Sequence, residues 1–274
     1  MARRPTKLAN LLGDVIRTKE KLISDKAISG SMVKKRIKTY IEGFDEYLNG
    51  GIPEGHIIMI AGTSGAMKTS VAWNILYHNA LEENRKGLYM TFEQSAESII
   101  EQMESLSLPY KDVEGKVEIV DVATMRSAVP GGKIESLGTE ETWSWTFVVE
   151  ELLKRYKKQF NFEILVFDSI NVYEMIAEVK APRIELYNFF QLLKKMKITA
   201  FITSEMAPES TIYCQLGESF LADGIIHLKM DQVDRIREQR RIKCVKMRGT
   251  KHSSDYFTLY YEGKRFSTSS IIGK

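Results

Sequence analysis

Short apolar runs alternate with helically spaced apolar positions along the middle of the chain. Ile57-Ile58-Met59-Ile60-Ala61 and Ile164-Leu165-Val166-Phe167 are uninterrupted, the pattern of strands buried on both faces. Val71, Ile75, Leu76 and Ala80 recur at helical spacing and predict a helix over 69–82, with a strand at 88–92 after it. Further helices are expected at about 95–106, 143–157 and 183–197, and further strands at 164–168 and 199–203. Strands separated by crossover helices predict an α/β fold with a mostly parallel central sheet flanked by helices. Beyond Asp223 only strands follow, at 225–228, 241–247, 257–261 and, after a turn at Glu262-Gly263, 264–267, so the sheet is expected to end in antiparallel strands.

The first residues break this pattern. Leu8, Leu11, Leu12, Val15, Ile16, Leu22 and Ile23 mark one apolar helical face among basic residues, and Ser29-Gly30-Ser31 resembles a hinge. Residues 1–36 are therefore expected to be a partly helical basic arm, and 37–274 a single domain. Residues 1–38 carry eleven Lys or Arg against Asp14, Glu20 and Asp25, although the net charge of the chain is only +3. A second basic cluster runs from Arg235 to Lys251. Such runs suit a nucleic-acid or acidic protein partner, and equally a solvated surface. With 43% apolar and 27% charged residues the chain is neither fibrous nor disordered. No apolar stretch approaches the ~18 residues that span a bilayer, and no apolar segment follows the basic N-terminus as in a secretory leader. Two cysteines, Cys214 and Cys244, lack metal-type spacing. A cytoplasmic protein without membrane contact is expected.

Candidate chemistry begins where the first strand meets the first core helix. Gly62-Thr63-Ser64-Gly65-Ala66-Met67-Lys68-Thr69, continued by Ser70, has the spacing and context of a phosphate-binding loop. Small residues let backbone N–H groups converge on an anion, and the helix adds its positive end. Lys68 is placed to reach the β- and γ-phosphates of ATP, and the Thr69 hydroxyl to bind Mg²⁺. The motif has Gly where this chain has Met67, so a conformation suited to glycine is expected to be strained there.

Asp168 ends the apolar run 164–167 about 100 residues later, the pattern of an acid that holds Mg²⁺ opposite Thr69 from a strand neighbouring the loop. An apolar strand ending in Asp also occurs for structural reasons alone. Glu93 follows the strand 88–92 and is the candidate base for an attacking water. Its other reading is a cap on the helix that starts near Ser95.

Taken together, these segments resemble the KaiC-like family of RecA-superfamily P-loop ATPases. The likeness covers about residues 38–267. Thr39 to Gly55 is similar to the family's lead-in to the loop, Leu88 to Gln94 to its strand bearing the catalytic acid, and Leu221 to Leu228 to a strand beyond the site. Lys246-Met247-Arg248-Gly249-Thr250-Lys251-His252 resembles the late strand whose cations reach the neighbouring subunit's nucleotide. The resemblance implies a RecA-like core, ATP and Mg²⁺ as ligands, and a homo-oligomer, expected as a hexameric ring, with Lys246 and Arg248 acting between subunits. Glu93 aligns with the first residue of the family's acidic pair, and Gln94 replaces the second, so slow hydrolysis is expected. Ser219 aligns with a serine autophosphorylated in the protein that names the family, while Phe220 replaces the adjacent threonine, leaving half of that site. An oligomeric regulator driven by nucleotide is the main expectation. A RecA- or RadA-like DNA-binding recombination accessory protein and a non-catalytic nucleotide-binding scaffold are the alternatives.

Overall fold

The computed structural model describes residues 35–127, 134–135, 142–177, 182–214 and 217–270. The expected N-terminal helix around 8–23 and its hinge lie outside them. In chain order the strands are β1 (Arg36–Ile37), β2 (Ile41–Glu42), β3 (Ile52–Pro53), β4 (Ile57–Gly62), β5 (Gly87–Thr91), β6 (Val117–Asp121), β7 (Ile134–Glu135) and β8 (Thr142–Trp143). The second half contributes β9 (Ile164–Asp168), β10 (Thr199–Glu205), β11 (Gly224–Gln232), β12 (Glu238–Met247), β13 (Phe257–Glu262) and β14 (Arg265–Ser270). Ten of them form one sheet in the order β2-β14-β13-β12-β11-β4-β10-β9-β5-β6. From β11 to β6 the neighbours are parallel; from β11 to β14 they are antiparallel.

β4 shows why the sheet needs both faces covered. Ile58 and Ile60 point into a core shared with Val71, Trp73, Ile75 and Leu76 of the Lys68–Glu83 helix. Ile57, Met59 and Ala61 point the other way, into a core built with the helices Trp145–Gln159, Ile170–Ile176 and Pro182–Lys195. A two-residue side-chain period on a strand buried from both sides produces this division. Ser95 and Ser144 start their helices as N-caps, accepting from the N–H of Ser98 and Phe147, both at 3.2 Å.

The lead-in segment is a clamp. The Asp45 carboxylate accepts from Thr39 N at 2.9 Å, Thr39 Oγ1 at 2.8 Å and Tyr40 N at 3.1 Å. Asn74 and Asn79, on the Lys68–Glu83 helix, donate to the carbonyls of Thr39 and Lys38 at 3.0 and 2.8 Å. Burial raises the Asp45 carboxyl, and the Thr39 and Tyr40 donors oppose that shift.

Two expectations need correction. The strand bearing Asp168, β9, does not neighbour the loop strand β4, because β10 lies between them. Chain order places β9 before β10, and only side-to-side pairing reveals the insertion. The helix Ile170–Ile176 and the edge strand β6 were not anticipated; β6 reads Val-Glu-Ile-Val-Asp, too short and too mixed to stand out.

Gly62 is fixed by packing. A Cβ built there falls 2.2 Å from the Leu228 carbonyl oxygen of β11, so any side chain must push two hydrogen-bonded strands apart. Gly62→Ala is expected to destabilise the protein by about 2–3 kcal/mol, measured as a lowered urea midpoint at unchanged slope. A midpoint equal to the parent's would show that the strands yield freely.

Candidate functional site

The loop 62–70 joins β4 to the Lys68–Glu83 helix as expected. Gly65 has φ +77° and Met67 φ +68°, ψ +32°. Met67 therefore holds the left-handed conformation for which glycine is suited, at a cost of about 1–2 kcal/mol, while its side chain packs against the core. No side chain caps this helix and no acid occupies its first turn. Its leading N–H groups have no carbonyl partner within the helix, and the helix dipole adds positive potential there. Lys68 Nζ donates to the Thr63 carbonyl at 3.0 Å, which folds the ammonium over the loop.

Asp168 is buried and satisfied by hydroxyls. Thr69 Oγ1 donates to Oδ2 at 2.8 Å and Tyr89 OH to the same oxygen at 2.6 Å, while Thr203 Oγ1 donates to Oδ1. Burial, then the charge of Asp168, raises the Tyr89 phenol well above its ordinary range, so Tyr89 remains a donor. Tyr89 and Thr203 escaped sequence reasoning because each lies inside an apolar strand. A hydroxyl interrupting Ala200-Phe201-Ile202 was the available signal.

Glu93 is exposed at the cavity mouth and accepts from Ser169 Oγ. The side chain that caps the following helix is Ser95 rather than Glu93. Gln94 also lines the cavity, and its Oε1 accepts from Ser98 Oγ at 3.2 Å. A cavity of about 420 Å³ is lined by Lys68, Thr69, Glu93 and Asp168, and extends to Gln102, Ser105 and Leu106 at the end of the Ala96–Ser105 helix. Glu205, also in its wall, ends β10 beside Gly62. It was not anticipated either.

Lys246 and Arg248 lie elsewhere. Met247 pairs with Gly224, and Gly224 with Ile58, which places Arg248 at the start of the parallel strands. The loop is at their far end. Five residues of β4 separate the two edges by about 17 Å. Lys246 Nζ donates to the carbonyls of Ser219 at 2.9 Å and Ala222 at 2.7 Å. Arg248 donates to Asp223 Oδ1 at 3.1 Å and to the Phe220 carbonyl at 2.9 Å. Burial, then Arg248, lowers the Lys246 ammonium. Ser219 thus sits beside Lys246 rather than in the loop's cavity.

The loop fits a nucleotide's phosphates, for it offers an uncapped helix end, a lysine folded over the turn and a cavity leading away from both. Thr69 and Asp168 fit a small divalent cation. Among the described residues no cluster of three or more His, Cys, Asp or Glu forms a metal cage, so such an ion would rely on this pair, waters and phosphate oxygens, as Mg²⁺ commonly does. No described helix is long and apolar enough to cross a membrane.

The family described as "ATPase: KaiC" matches residues 37–262. The circadian clock oscillator protein KaiC 1 of Synechocystis sp. is 30% identical over 235 residues, covering 84% of this chain and 43% of that protein. The circadian clock protein KaiC2 of the same organism is 29% identical over 253 residues, covering 91% and 42%. The chain thus spans less than half the length of these curated relatives. Among solved structures, a KaiC-like protein from the hyperthermophilic archaeon Pyrococcus horikoshii OT3 matches with a TM-score of 0.71 at 27% identity, covering 86% of this chain and all of that one. Because the family match runs from the lead-in clamp to β13, and so takes in nearly all of the sheet and the whole cavity, the chain belongs to the KaiC family of ATPases.

Proposed function

We propose that the chain binds MgATP in the loop 62–70, hydrolyses it slowly, and works as a ring-shaped homo-oligomer whose nucleotide state regulates a partner. The observation that carries this proposal is the Thr69–Asp168 hydrogen bond of 2.8 Å beside the uncapped helix end. It brings the two metal-binding side chains together where Lys68 and the loop N–H groups converge. In this proposal the N–H groups of residues 65–70 and Lys68 bind the phosphates, and Thr69 with Asp168 hold Mg²⁺. Mg²⁺, when bound, offsets the negative charge of the phosphate oxygens. Ser169 holds one oxygen of Glu93, leaving the other to orient a water and accept its proton. Gln102, Ser105 and Leu106 border the space left for the rest of the nucleotide.

In this proposal Lys246 and Arg248 serve a neighbour's nucleotide rather than their own, because they lie at the opposite end of the parallel strands from the loop. The same placement suits action on a neighbour, with Asp223 holding the Arg248 guanidinium. Cations directed at developing phosphate charge lower the barrier to transfer. Slow turnover is supported by Gln94, a neutral amide in the cavity wall beside Glu93, where the family's second acid stands.

Lys68→Ala is expected to abolish MgATP binding, measured by titration calorimetry, while the thermal midpoint without nucleotide stays near the parent's. Retained affinity would remove the phosphate assignment. Glu93→Gln should leave binding intact and cut hydrolysis roughly 10²-fold, the scale of a lost general base; equal phosphate release by mutant and parent would assign Glu93 no role in turnover.

Action between subunits has its own test. Glu93→Gln and Arg248→Ala proteins, each inactive alone, are mixed, and mixed oligomers are first demonstrated by mass. Some interfaces then join an intact Glu93 to an intact Arg248, and activity is expected to return in part. Silence in proven mixed oligomers would place Arg248 outside catalysis.

A further inference from the structure

Lys246 and Arg248 are seated on one short segment. Their carbonyl acceptors, Ser219, Phe220 and Ala222, belong to the Glu218–Leu221 helix and the residue after it. The Arg248 N–H donates to the carbonyl of Asp223, the next residue, at 2.8 Å, and its guanidinium to the Asp223 carboxylate. Whatever fixes this segment to the rest of the fold therefore fixes both cations.

Glu218 opens the segment and is fully buried. Its side chain hydrogen-bonds that of Glu174 on the Ile170–Ile176 helix. Glu174 Oε1 is buried too, and no donor among the described residues reaches it. Two carboxylates only accept and cannot bond each other; a proton on one of them supplies the missing donor. Burial, then the hydrogen bond to Glu218 and its charge, raises the Glu174 carboxyl well above the usual carboxylate range, and no cation lowers it. Cys214 lies beside the pair, and burial, then Glu218, pushes its thiol up to about 12, so it stays uncharged. Tyr173, on the same helix as Glu174, is raised by burial first and by Glu150, Glu185 and Glu174 after it, and stays a phenol. On the far side of the segment Lys246 directs its ammonium to the Ser219 and Ala222 carbonyls. The Ile170–Ile176 helix follows Ser169, whose hydroxyl holds Glu93. The Glu174–Glu218 contact thus joins the wall of the cavity to the seat of Lys246 and Arg248.

We propose that Glu174 and Glu218 share one proton in a buried O–H···O bond that latches the 218–223 segment to the Ile170–Ile176 helix, and that release of this proton to solvent opens the latch and frees the seat of Lys246 and Arg248. The protonated carboxyl donates to the carboxylate, and the closed pair carries a single negative charge. Without the proton two negative charges face each other away from water, which drives them apart. The closed latch holds a proton that an exposed carboxyl has already released, so opening is favoured as pH rises from the usual carboxylate range towards the raised one. The latch belongs to the fold without nucleotide; its effect on a neighbour's ATP rests on the function proposed above.

The test is hydrogen–deuterium exchange of the full chain without nucleotide, read by mass spectrometry and corrected for the intrinsic pH dependence of amide exchange. Between about pH 6 and pH 8 the opening constant of residues 217–223, and of a peptide containing Arg248, should rise about tenfold per pH unit, as expected when each opening releases one proton. Glu174→Gln, whose amide donates to Glu218 at every pH, should keep both segments at the parent's slow rate across the range. Glu218→Gln, donating in the opposite direction, should do the same. Unchanged exchange of β4 and β10 in each variant shows that the fold is intact, a control that does not need ATP to bind. Corrected exchange that is flat with pH in the parent overturns the proposal. So does an equal rise in the parent and both Gln variants, which would place the titrating group elsewhere. A rise confined to 217–223 that leaves Arg248 protected overturns it too, because the latch would then not govern the cations. Absence of MgATP binding or hydrolysis would remove the function proposed above and leave each of these readings intact.

Discussion

Asp168 sits buried at the end of β9, and its two oxygens accept hydroxyls from three other elements: Thr69 on the loop helix, Tyr89 on β5 and Thr203 on β10. A carboxylate removed from water needs each of these donors, since a buried charge left short of partners is costly. The requirement runs in both directions. β10 and β5 must flank β9 for Thr203 and Tyr89 to arrive, and the helix must start where it does for Thr69 to reach down. Strand order, helix position and the geometry around the loop are three aspects of one satisfied charge.

Much of this was legible from residue order because the chemistry falls at element boundaries. Gly62 to Ser70 stands between an apolar run and a helical period, and Asp168 ends another apolar run, so each announces itself. The buried donors do not. Tyr89 and Thr203 occupy strand interiors, where an aromatic or β-branched residue is ordinary, and only the sheet shows that both point at Asp168. Chain order also misplaced β9 beside β4, because the crossover that inserts β10 leaves no local mark. Glu93 illustrates a different limit: residue order offers a base or a cap, and only the folded chain shows that the side chain capping that helix is Ser95. Residues 1–34, the larger part of the basic N-terminal segment, fall outside the described residues.

The two ends of the parallel strands have become different environments. At one end the loop, Glu93 and Asp168 gather around a cavity; at the other, Asp223 gathers Arg248, Lys194 and the N–H of Ile57. Burial pushes the Asp223 carboxyl up, and the Ile57 N–H, Arg248 and Lys194 together outweigh it and hold the carboxyl below its ordinary value. The lead-in clamp through Asp45, Asn74 and Asn79 holds the loop helix from its outer side. A segment with no catalytic side chain is thereby tied to the element that positions Thr69.

Gly62 and Met67, five positions apart in one loop, also differ in what each permits by way of sequence drift. At 62 the space for a side chain is already filled by the backbone of β11, and backbone held in a ladder cannot step aside. At 67 the obstacle is a dihedral preference alone, worth about 1–2 kcal/mol, and the methionine recovers part of it by packing against the core. The loop can therefore wander from its motif at the helix end while remaining pinned at the strand end. Lineages of this fold are free to adjust the shape of the loop's mouth through position 67, with the seam between β4 and β11 left untouched.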